Sequence, residues 1–103
     1  MPAYVIADVG EIHDAEAYAR YRELSTASVA LHGGRWVVRG GAHEVLEGDW
    51  EPGRLVVIEF DDVDAARAWW DSEDYREAAE VRRGASVGSL VLVEGATSAP
   101  PAS

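Results

Sequence analysis

Apolar residues along the chain gather in four short stretches rich in β-branched side chains, separated by polar or glycine-containing segments. This pattern predicts strands over residues 4–9, 35–39, 54–60 and 89–94. The third stretch, RLVVIEF, is the most apolar of the four. We therefore expect it to be a central strand of a sheet.

A first helix is predicted between the first two strands. Asp14 offers a capping side chain at its start, and Gly33-Gly34 ends it near residue 31. Steps of three and four residues place one set of side chains on a common face, which we expect to be buried. That set is Ala17, Tyr21, Leu24, Ser28 and Leu31.

A second helix is predicted over residues 63–70, capped by Asp61 or Asp62 and broken near Ser72. Ser72 is then the cap of a new helical segment. Glu73 and Asp74 lie in its first turn, Arg82 and Arg83 lie in its last turn, and Gly84 follows. That order suits the helix dipole. Trp69 and Trp70 are adjacent, and neighbouring helical side chains point about 100° apart, so only one of them can face the core.

The element order β-α-β-β-α-β predicts an α+β domain with the ferredoxin-like fold. This fold has a four-stranded antiparallel sheet in the order 4-1-3-2 and two helices on one face. After the second strand, Gly40-Gly41 predicts a hairpin turn that leads into a short extended segment at 43–47. We assign residues 1–95 to the domain and expect 96–103, which is small, polar and proline-containing, to be a disordered tail.

The opposite face of such a sheet is apolar and has no helix to cover it. An exposed apolar face of this size is a typical association surface, so we expect a homodimer that packs two sheets together.

The composition of the chain argues against several kinds of binding partner and excludes cysteine chemistry. The chain has 103 residues, with 9 basic against 19 acidic, for a formal charge of −10. Nucleic acids and anionic membrane surfaces are therefore poor partners. The absence of cysteine excludes disulfides, thiolate catalysis and cysteine-ligated metal centres. No stretch approaches the ~20 apolar residues of a membrane span, and the first residues do not read as a signal peptide, so we expect a cytoplasmic protein.

The motifs of the common cofactor and metal enzymes are missing. The three histidines, His13, His32 and His43, include no pair at metal-binding spacing, so we predict no metal site. The chain has no GxGxxG, P-loop, GxSxG or HExxH motif. We therefore expect no cofactor.

Several longer motifs resemble a known family. They are PAYVIADV near the start, AYARYRELS in the first helix, AxHGGRWVVRGG at 30–41, LEGDWEPGRLVVIEF at 46–60, SxxY at 72–75, and VxxG ahead of LVLVEG. They look like the bacterial family catalogued as domain of unknown function 1330, over roughly residues 2–95. The resemblance implies a ferredoxin-like fold in the dimeric α/β-barrel superfamily. It implies no reaction, although the wider superfamily includes small monooxygenases, isomerases and haem-handling proteins.

The predicted topology brings candidate site residues to one end of the fold. Asp8, Arg39 and Arg54 lie at strand ends, with Tyr18 early in the first helix and Trp50 in a nearby loop. They could form a pocket with two guanidinium donors for a carboxylate or enolate, an aromatic wall and a hydroxyl for proton transfer. Alternatively, Arg39 and Arg54 neutralise local acids, in particular through an Asp8–Arg54 ion pair, and Trp50 packs at a dimer edge.

Two further residues complete the candidate set. Tyr21 has a helical position compatible either with core packing or with lining the pocket. His32 is expected at the other end of the fold, near Glu59, where the two could form an imidazole–carboxylate pair. Asp8 and Glu59 themselves are expected to lie about 14 Å apart along the sheet, too far for joint acid–base chemistry.

Two functional hypotheses follow from these observations. In the first, a homodimer binds a small apolar or aromatic, weakly acidic metabolite between helices and sheet. Any catalysis is then cofactor-independent, isomerase- or monooxygenase-like, with Arg39 and Arg54 stabilising negative charge and Tyr18 or His32 moving protons. In the second, the protein is a non-catalytic accessory or sensor module whose apolar sheet face serves only assembly.

Overall fold

The computed structural model of the chain describes residues 1–96. The helices and strands occur in the predicted order, and the second helical region consists of two helices. Residues 97–103, most of the predicted tail, lie outside the described residues. None of the helices in the described part is both long and apolar enough to cross a bilayer. The elements are β1 Ala3–Ile12, α1 Ala15–Leu31, β2 Arg35–Arg39, β3 Arg54–Phe60, α2 Val63–Asp71, α3 Glu73–Ala85 and β4 Ser86–Glu94.

The four strands form one antiparallel sheet in the order β2-β3-β1-β4. This is the predicted 4-1-3-2 arrangement, and the ferredoxin-like α+β fold is confirmed. At the centre of the sheet, Ala7 is paired with Val56 of β3 and Leu90 of β4. Side chains alternate between the two faces of a strand, so Ala7 and its neighbours two residues away, Val5 and Val9, all point toward the helices.

The core lies between the helices and this face of the sheet, around the indole of Trp69. Trp69 and Phe60 are fully buried, and Tyr75 is 1% exposed. The ring centres of Trp69 and Tyr75 are 4.0 Å apart. Trp69 Nε1 donates a hydrogen bond to Ser28 Oγ at 3.1 Å, which satisfies the polar atom of a buried indole. Of the two adjacent tryptophans, Trp69 is therefore the core residue and Trp70 is half-buried.

Helix α1 buries most of the predicted face: Ser28 is buried, and Ala17, Tyr21 and Leu24 are half-buried and pack against the core, but Leu31 does not. Its cap is as expected, since the Asp14 side chain accepts a hydrogen bond from Ala17 N. The fully buried positions are Tyr18, Ser25, Ser28 and Val29, whereas Leu31 is 71% exposed. Leu31 follows Val29 by two residues, or about 200° around the helix, so the two side chains point in nearly opposite directions.

The hairpin predicted after β2 is wrong. Residues 40–53 contain no strand, and all of 41–51 are exposed. Gly40 has a positive φ of +73°, but no strand follows it to pair with β2. Gly40 N still donates to Leu55 O at 2.7 Å, so the chain leaves the sheet only after this bond. The two strands beside the loop pair with each other directly.

The other face of the sheet, which we call the open face, is not covered by any element within residues 1–96. It carries Tyr4, Ile6, Asp8, Leu55, Val57, Glu59, Ser89, Val91 and Val93, which alternate with the helix-facing positions. Val91 is 55% exposed and Val93 is 43% exposed. The apolar, uncovered surface anticipated from the sequence is therefore present.

The exposed position of Leu31 on α1 can be tested with two substitutions. We expect Val29→Ala to lower the free energy of unfolding by about 2 kcal/mol, because it leaves a cavity in a buried site. Leu31→Ala, on the exposed side of the same helix, should change it by less than about 0.5 kcal/mol. Urea denaturation of both variants gives the comparison. Equal losses would show that Leu31 contributes to the core as the sequence pattern suggested.

Candidate functional site

A small cavity lies between α1 and the helix-facing side of the sheet. Its volume is about 30 Å³. That is room for roughly two water molecules or one carboxylate group. The floor consists of apolar strand residues, and the walls carry aromatic and basic side chains; the main contributors are Ala7, Val9, Tyr18, Tyr21, Trp36 and Val56.

Four arginines from four different elements reach this cavity. Arg22 comes from α1, Arg39 from the end of β2, Arg54 from the start of β3 and Arg82 from α3. No acidic side chain is among the lining residues. In a chain with a formal charge of −10, these arginines make the cavity a local concentration of positive charge.

Two of the arginines have buried polar atoms without a partner. The Nε atoms of Arg54 and Arg82 are both buried and form no hydrogen bond. The Arg82 residue as a whole is only 7% exposed. A buried donor left unsatisfied costs free energy, and more so when it is charged. The folded protein therefore tolerates an unfavourable arrangement that an anion in the cavity would relieve.

Arg39 is exposed and lies at the margin of the cavity. Its guanidinium carbon lies 4.0 Å from the centre of the Trp36 ring, a cation–π contact. Arg39 Nη2 also donates a hydrogen bond to Thr26 Oγ1. Burial, followed by repulsion from Arg22 and Arg54, lowers the pKa of Arg39 below its usual value. A guanidinium is so strong a base that Arg39 nevertheless stays charged near neutral pH.

The position of Arg54 depends on Gly40. A Cβ at residue 40 would lie 2.5 Å from Cζ of Arg54, well inside van der Waals contact. The absence of a side chain at Gly40 therefore leaves the space that the Arg54 guanidinium occupies. The positive φ of Gly40 is a second reason why glycine is favoured there.

Tyr21 supplies a neutral hydroxyl near the arginines. Its hydroxyl oxygen lies 3.2 Å from that of Tyr75, and the two groups share a hydrogen bond. Burial, with a further contribution from Tyr75, raises the pKa of Tyr21 well above its ordinary value. The phenol therefore acts as a hydrogen-bonding group and not as a base. The guanidinium carbon of Arg82 is 6.0 Å from the centre of the Tyr21 ring.

The structure brings four of the sequence-predicted site residues together. Tyr18, Tyr21, Arg39 and Arg54 all line the cavity. The aromatic rings of Tyr18 and Tyr21 are in contact, with ring centres 5.5 Å apart.

Asp8 and Trp50 lie instead on the open face. Asp8 accepts hydrogen bonds from Trp50 Nε1 at 2.8 Å and from Gly53 N at 2.9 Å. The predicted Asp8–Arg54 ion pair is wrong, because Arg54 is paired with Val9 and shares its helix-facing side. Asp8, one residue earlier, points the other way. Its carboxylate anchors the 40–53 loop and is separated from the cavity by the sheet.

His32 is also remote from the cavity, at the C-terminal cap of α1. The suggested His32–Glu59 pair is wrong. Glu59 instead receives hydrogen bonds from Tyr4 Oη at 3.3 Å and Arg35 Nε at 3.2 Å. Arg35 also pairs with Asp61 at 3.1 Å. Across residues 1–96, no group of three His, Asp or Glu side chains is arranged to hold a metal ion.

Sequence reasoning missed Arg82, the most buried of the arginines. Its position near the end of a helix suggested an interaction with the helix dipole. The signal for burial was present, since Arg82 continues the helical stripe of Tyr75, Ala78 and Ala79, with Ala85 one turn further on. An arginine in the middle of an otherwise apolar stripe indicates a charge directed into the fold. Arg22, Ser25 and Trp36 were also missed and have no such signal.

Known structures resemble this fold over nearly its full length. RPA0582 from Rhodopseudomonas palustris, a protein of unknown function, is 24% identical, with a TM-score of 0.72 over 93% of this chain and 83% of that chain. SnoaB from Streptomyces nogalater, a cofactor-independent oxygenase, is 17% identical, with a TM-score of 0.60 over 97% of each chain. Rv0793 from Mycobacterium tuberculosis is 18% identical, with a TM-score of 0.54 over 100% of each chain. No functionally curated protein matches the chain in sequence.

Fold and site together define a ferredoxin-like α+β protein with a positively charged cavity beneath its helices. The sequence profile described as Domain of unknown function (DUF1330) matches residues 2–96. The chain therefore belongs to the DUF1330 family, and the resemblance noted from its motifs is confirmed.

The cost of the unpaired charge can be measured directly. We expect Arg82→Met to raise the free energy of unfolding of the ligand-free protein by about 1 kcal/mol, because a side chain of similar length replaces a buried guanidinium whose Nε has no hydrogen-bond partner. Arg35→Met is the matched control and should give no gain, because Arg35 is exposed and paired with Glu59 and Asp61. Denaturant titration in an anion-poor buffer compares the two. A destabilised Arg82→Met protein would show that the guanidinium has a stabilising partner.

Proposed function

We propose that this protein binds a small carboxylate-bearing metabolite in the cavity between α1 and the sheet. The observation that carries this proposal is that the Nε atoms of Arg82 and Arg54 are both buried and have no hydrogen-bond partner. Guanidinium groups match carboxylates in charge and in planar hydrogen-bonding geometry. A bound carboxylate would satisfy the two Nε donors that the protein itself leaves free.

The cavity limits which part of the metabolite enters. A volume of about 30 Å³ accommodates a carboxylate group but leaves little room for an aromatic ring beside it. We therefore place the acidic group of the ligand between the arginines. The rest of the ligand extends toward the margin marked by Arg39.

The proposal includes a catalytic version that requires no cofactor. Arginines that hold a carboxylate also stabilise the negative charge that develops on an adjacent enolate. Tyr18 is the cavity residue that we assign to proton transfer, since Tyr21 is held neutral and His32 lies elsewhere. SnoaB, a cofactor-independent oxygenase, is a precedent for such chemistry on a similar fold.

Binding is tested with acetate and its neutral analogue acetamide. We expect acetate to raise the melting temperature and to give a saturable heat of binding, because its charge satisfies the arginines. Acetamide has nearly the same shape without the charge and should do neither. Differential scanning fluorimetry and isothermal titration calorimetry supply the two readouts, with chloride kept low and ionic strength matched.

Two glycine variants test whether acetate binds in the cavity beside Arg54. Gly40→Ala introduces a methyl group into the space of the Arg54 guanidinium and should weaken acetate binding at least tenfold. Gly33→Ala is the matched control, because Gly33 has nearly the same φ, +72°, but nothing within 4 Å of its added Cβ. Both variants lose stability from backbone strain, but only Gly40→Ala should lose affinity. Equal responses of acetate and acetamide, or equal affinities of the two variants, would reject this site.

We propose as a second function that the open face assembles two copies of the chain. The supporting observation is the group of apolar residues Ile6, Val57, Val91 and Val93 on the open face, which no helix or strand covers within residues 1–96. Burial of this surface between two sheets removes it from water. If the protein is an assembly module only, the dimer should form while acetate has no effect.

Lysine substitutions on the open face test whether this face forms the dimer interface. We expect the double variant Val91→Lys, Val93→Lys to sediment as a monomer at micromolar concentration, because two ammonium groups would be buried between the sheets. Ala68→Lys, on the exposed side of α2, is the control and should leave the sedimentation coefficient unchanged. A wild-type protein that sediments as a monomer under the same conditions would contradict the proposal.

A further inference from the structure

We infer that the acidic side chains of the open face are held ready for burial by a second copy of the chain, with Trp50 as an aromatic anchor of the interface and Asp8 as the residue that positions it. This inference rests on the assembly proposed for the open face and names residues that determine its strength. It is based on the hydrogen bonds of the two acidic residues of that face, Asp8 and Glu59.

Both carboxylate oxygens of Asp8 accept a hydrogen bond from the 40–53 loop. Oδ2 accepts from Trp50 Nε1 at 2.8 Å, and Oδ1 accepts from Gly53 N at 2.9 Å. The loop comes so close to β1 here that a Cβ at residue 53 would overlap the carbonyl oxygen of Val9. The absence of a side chain at Gly53 therefore allows the loop to bring its donors to Asp8.

Both oxygens of Glu59, toward the other end of the open face, are also hydrogen-bonded within the chain. Oε1 accepts from Arg35 Nε at 3.2 Å, and Oε2 accepts from Tyr4 Oη at 3.3 Å. A carboxylate whose oxygens already have donors keeps those bonds when another surface covers it, which lowers the cost of removing it from water. The acids of the open face can therefore be covered by a surface that supplies no donors.

The apolar centre of the face lies between the two acids and adjoins Trp50. Ile6, two residues before Asp8, is paired with Val57 of β3 and Val91 of β4. Trp50 is 58% exposed despite its hydrogen bond, and with Ile6 and Val91 it lines a hollow of about 290 Å³. The bond to Asp8 therefore holds a large aromatic ring beside the apolar centre. Tryptophan is among the residues that contribute most to the stability of protein interfaces.

These features favour a second copy as the occupant of the open face. A basic partner would be recognised best by carboxylate oxygens that lack donors, and those of Asp8 and Glu59 already have them. An apolar protein surface has no such requirement. In a two-fold symmetric dimer the same patch of both copies meets, so each open face supplies the apolar surface that covers the other.

The anchor is tested with Trp50→Phe, which keeps an aromatic ring but removes the indole N–H. Because one oxygen of Asp8 then loses its donor, we expect the dissociation constant of the dimer to rise at least tenfold. Trp70→Phe is the matched control and should leave this constant unchanged, since Trp70 lies on α2, on the helix side of the sheet. Sedimentation velocity over a dilution series of the full chain measures each constant.

A second substitution separates burial of the acid from simple anchoring of the loop. An amide has one acceptor oxygen, so Asp8→Asn alone leaves either Trp50 Nε1 or Gly53 N without an acceptor and should weaken the dimer. Combined with Trp50→Phe, the same substitution replaces an incompletely paired carboxylate with a neutral amide that still accepts from Gly53 N. It should then recover at least threefold of the lost affinity. An anchoring role alone predicts that Asp8→Asn weakens the dimer in both backgrounds.

The outcomes separate this inference from the proposed assembly. If the wild-type protein is a dimer and Trp50→Phe weakens it no more than Trp70→Phe does, the anchor is overturned, while the lysine variants at Val91 and Val93 still decide whether the open face is the interface. A loss of affinity from Asp8→Asn in both backgrounds would overturn the burial of the acid. If the wild-type protein is a monomer, the proposed assembly fails, and this inference fails with it.

Discussion

The alternation of side chains across β1 and β3 determines what this protein can bind and where. Consecutive residues of a strand point to opposite faces, so Val9 and its partner Arg54 lie beneath the helices while Asp8 lies on the open face. A shift of one residue in this pairing would exchange the two sets. The separation keeps the carboxylate of Asp8 away from the arginines and leaves their charge uncompensated.

The aromatic core makes that uncompensated charge tolerable. Trp69 packs against Tyr75 and Phe60, with ring centres 4.0 and 5.5 Å away, and buries a large apolar surface beside the cavity. This packing favours the folded state, whereas the guanidiniums of Arg54 and Arg82 oppose it. Part of the stability of the core is thereby offset by two buried Nε donors that have no hydrogen-bond partner. Such an arrangement is characteristic of a binding site, where stability is lost in exchange for function.

The sequence was sufficient to predict the fold but only part of the site. Strand and helix periods, the caps at Asp14 and Ser72 and the family motifs gave the element order and the strand order. Side-chain alternation was also available from the sequence, yet the ion pair assigned to Asp8 and Arg54 ignored the one-residue offset that places them on opposite faces. Whether a residue at a strand end contacts its neighbour across the sheet depends on register, and register is a tertiary property.

The burial of individual helical residues was also hard to predict from the sequence, because it too depends on tertiary contacts. The serines of α1 carry no hydrophobic signal, yet Ser25 is buried without having been predicted, and Ser28, whose burial the helical spacing predicted, accepts a hydrogen bond from the indole of Trp69. Arg82 had a visible position on an apolar stripe, but a charged residue is assigned to the surface by default. In both cases the identity of the neighbour, and not the residue itself, determines burial.

The contrast between the acidic chain and its basic cavity bears on selectivity. A formal charge of −10 repels anions as they approach, and the repulsion grows with the charge of the anion. At about 0.1 M salt this field is screened beyond roughly 10 Å, so it acts mainly near the protein surface. A monocarboxylate crosses that region with a small penalty and then meets several guanidiniums, whereas a polyphosphate would meet a larger barrier and a cavity too small for it. The acidic exterior and the arginine-lined interior would therefore both favour the proposed ligand if it carries a single negative charge.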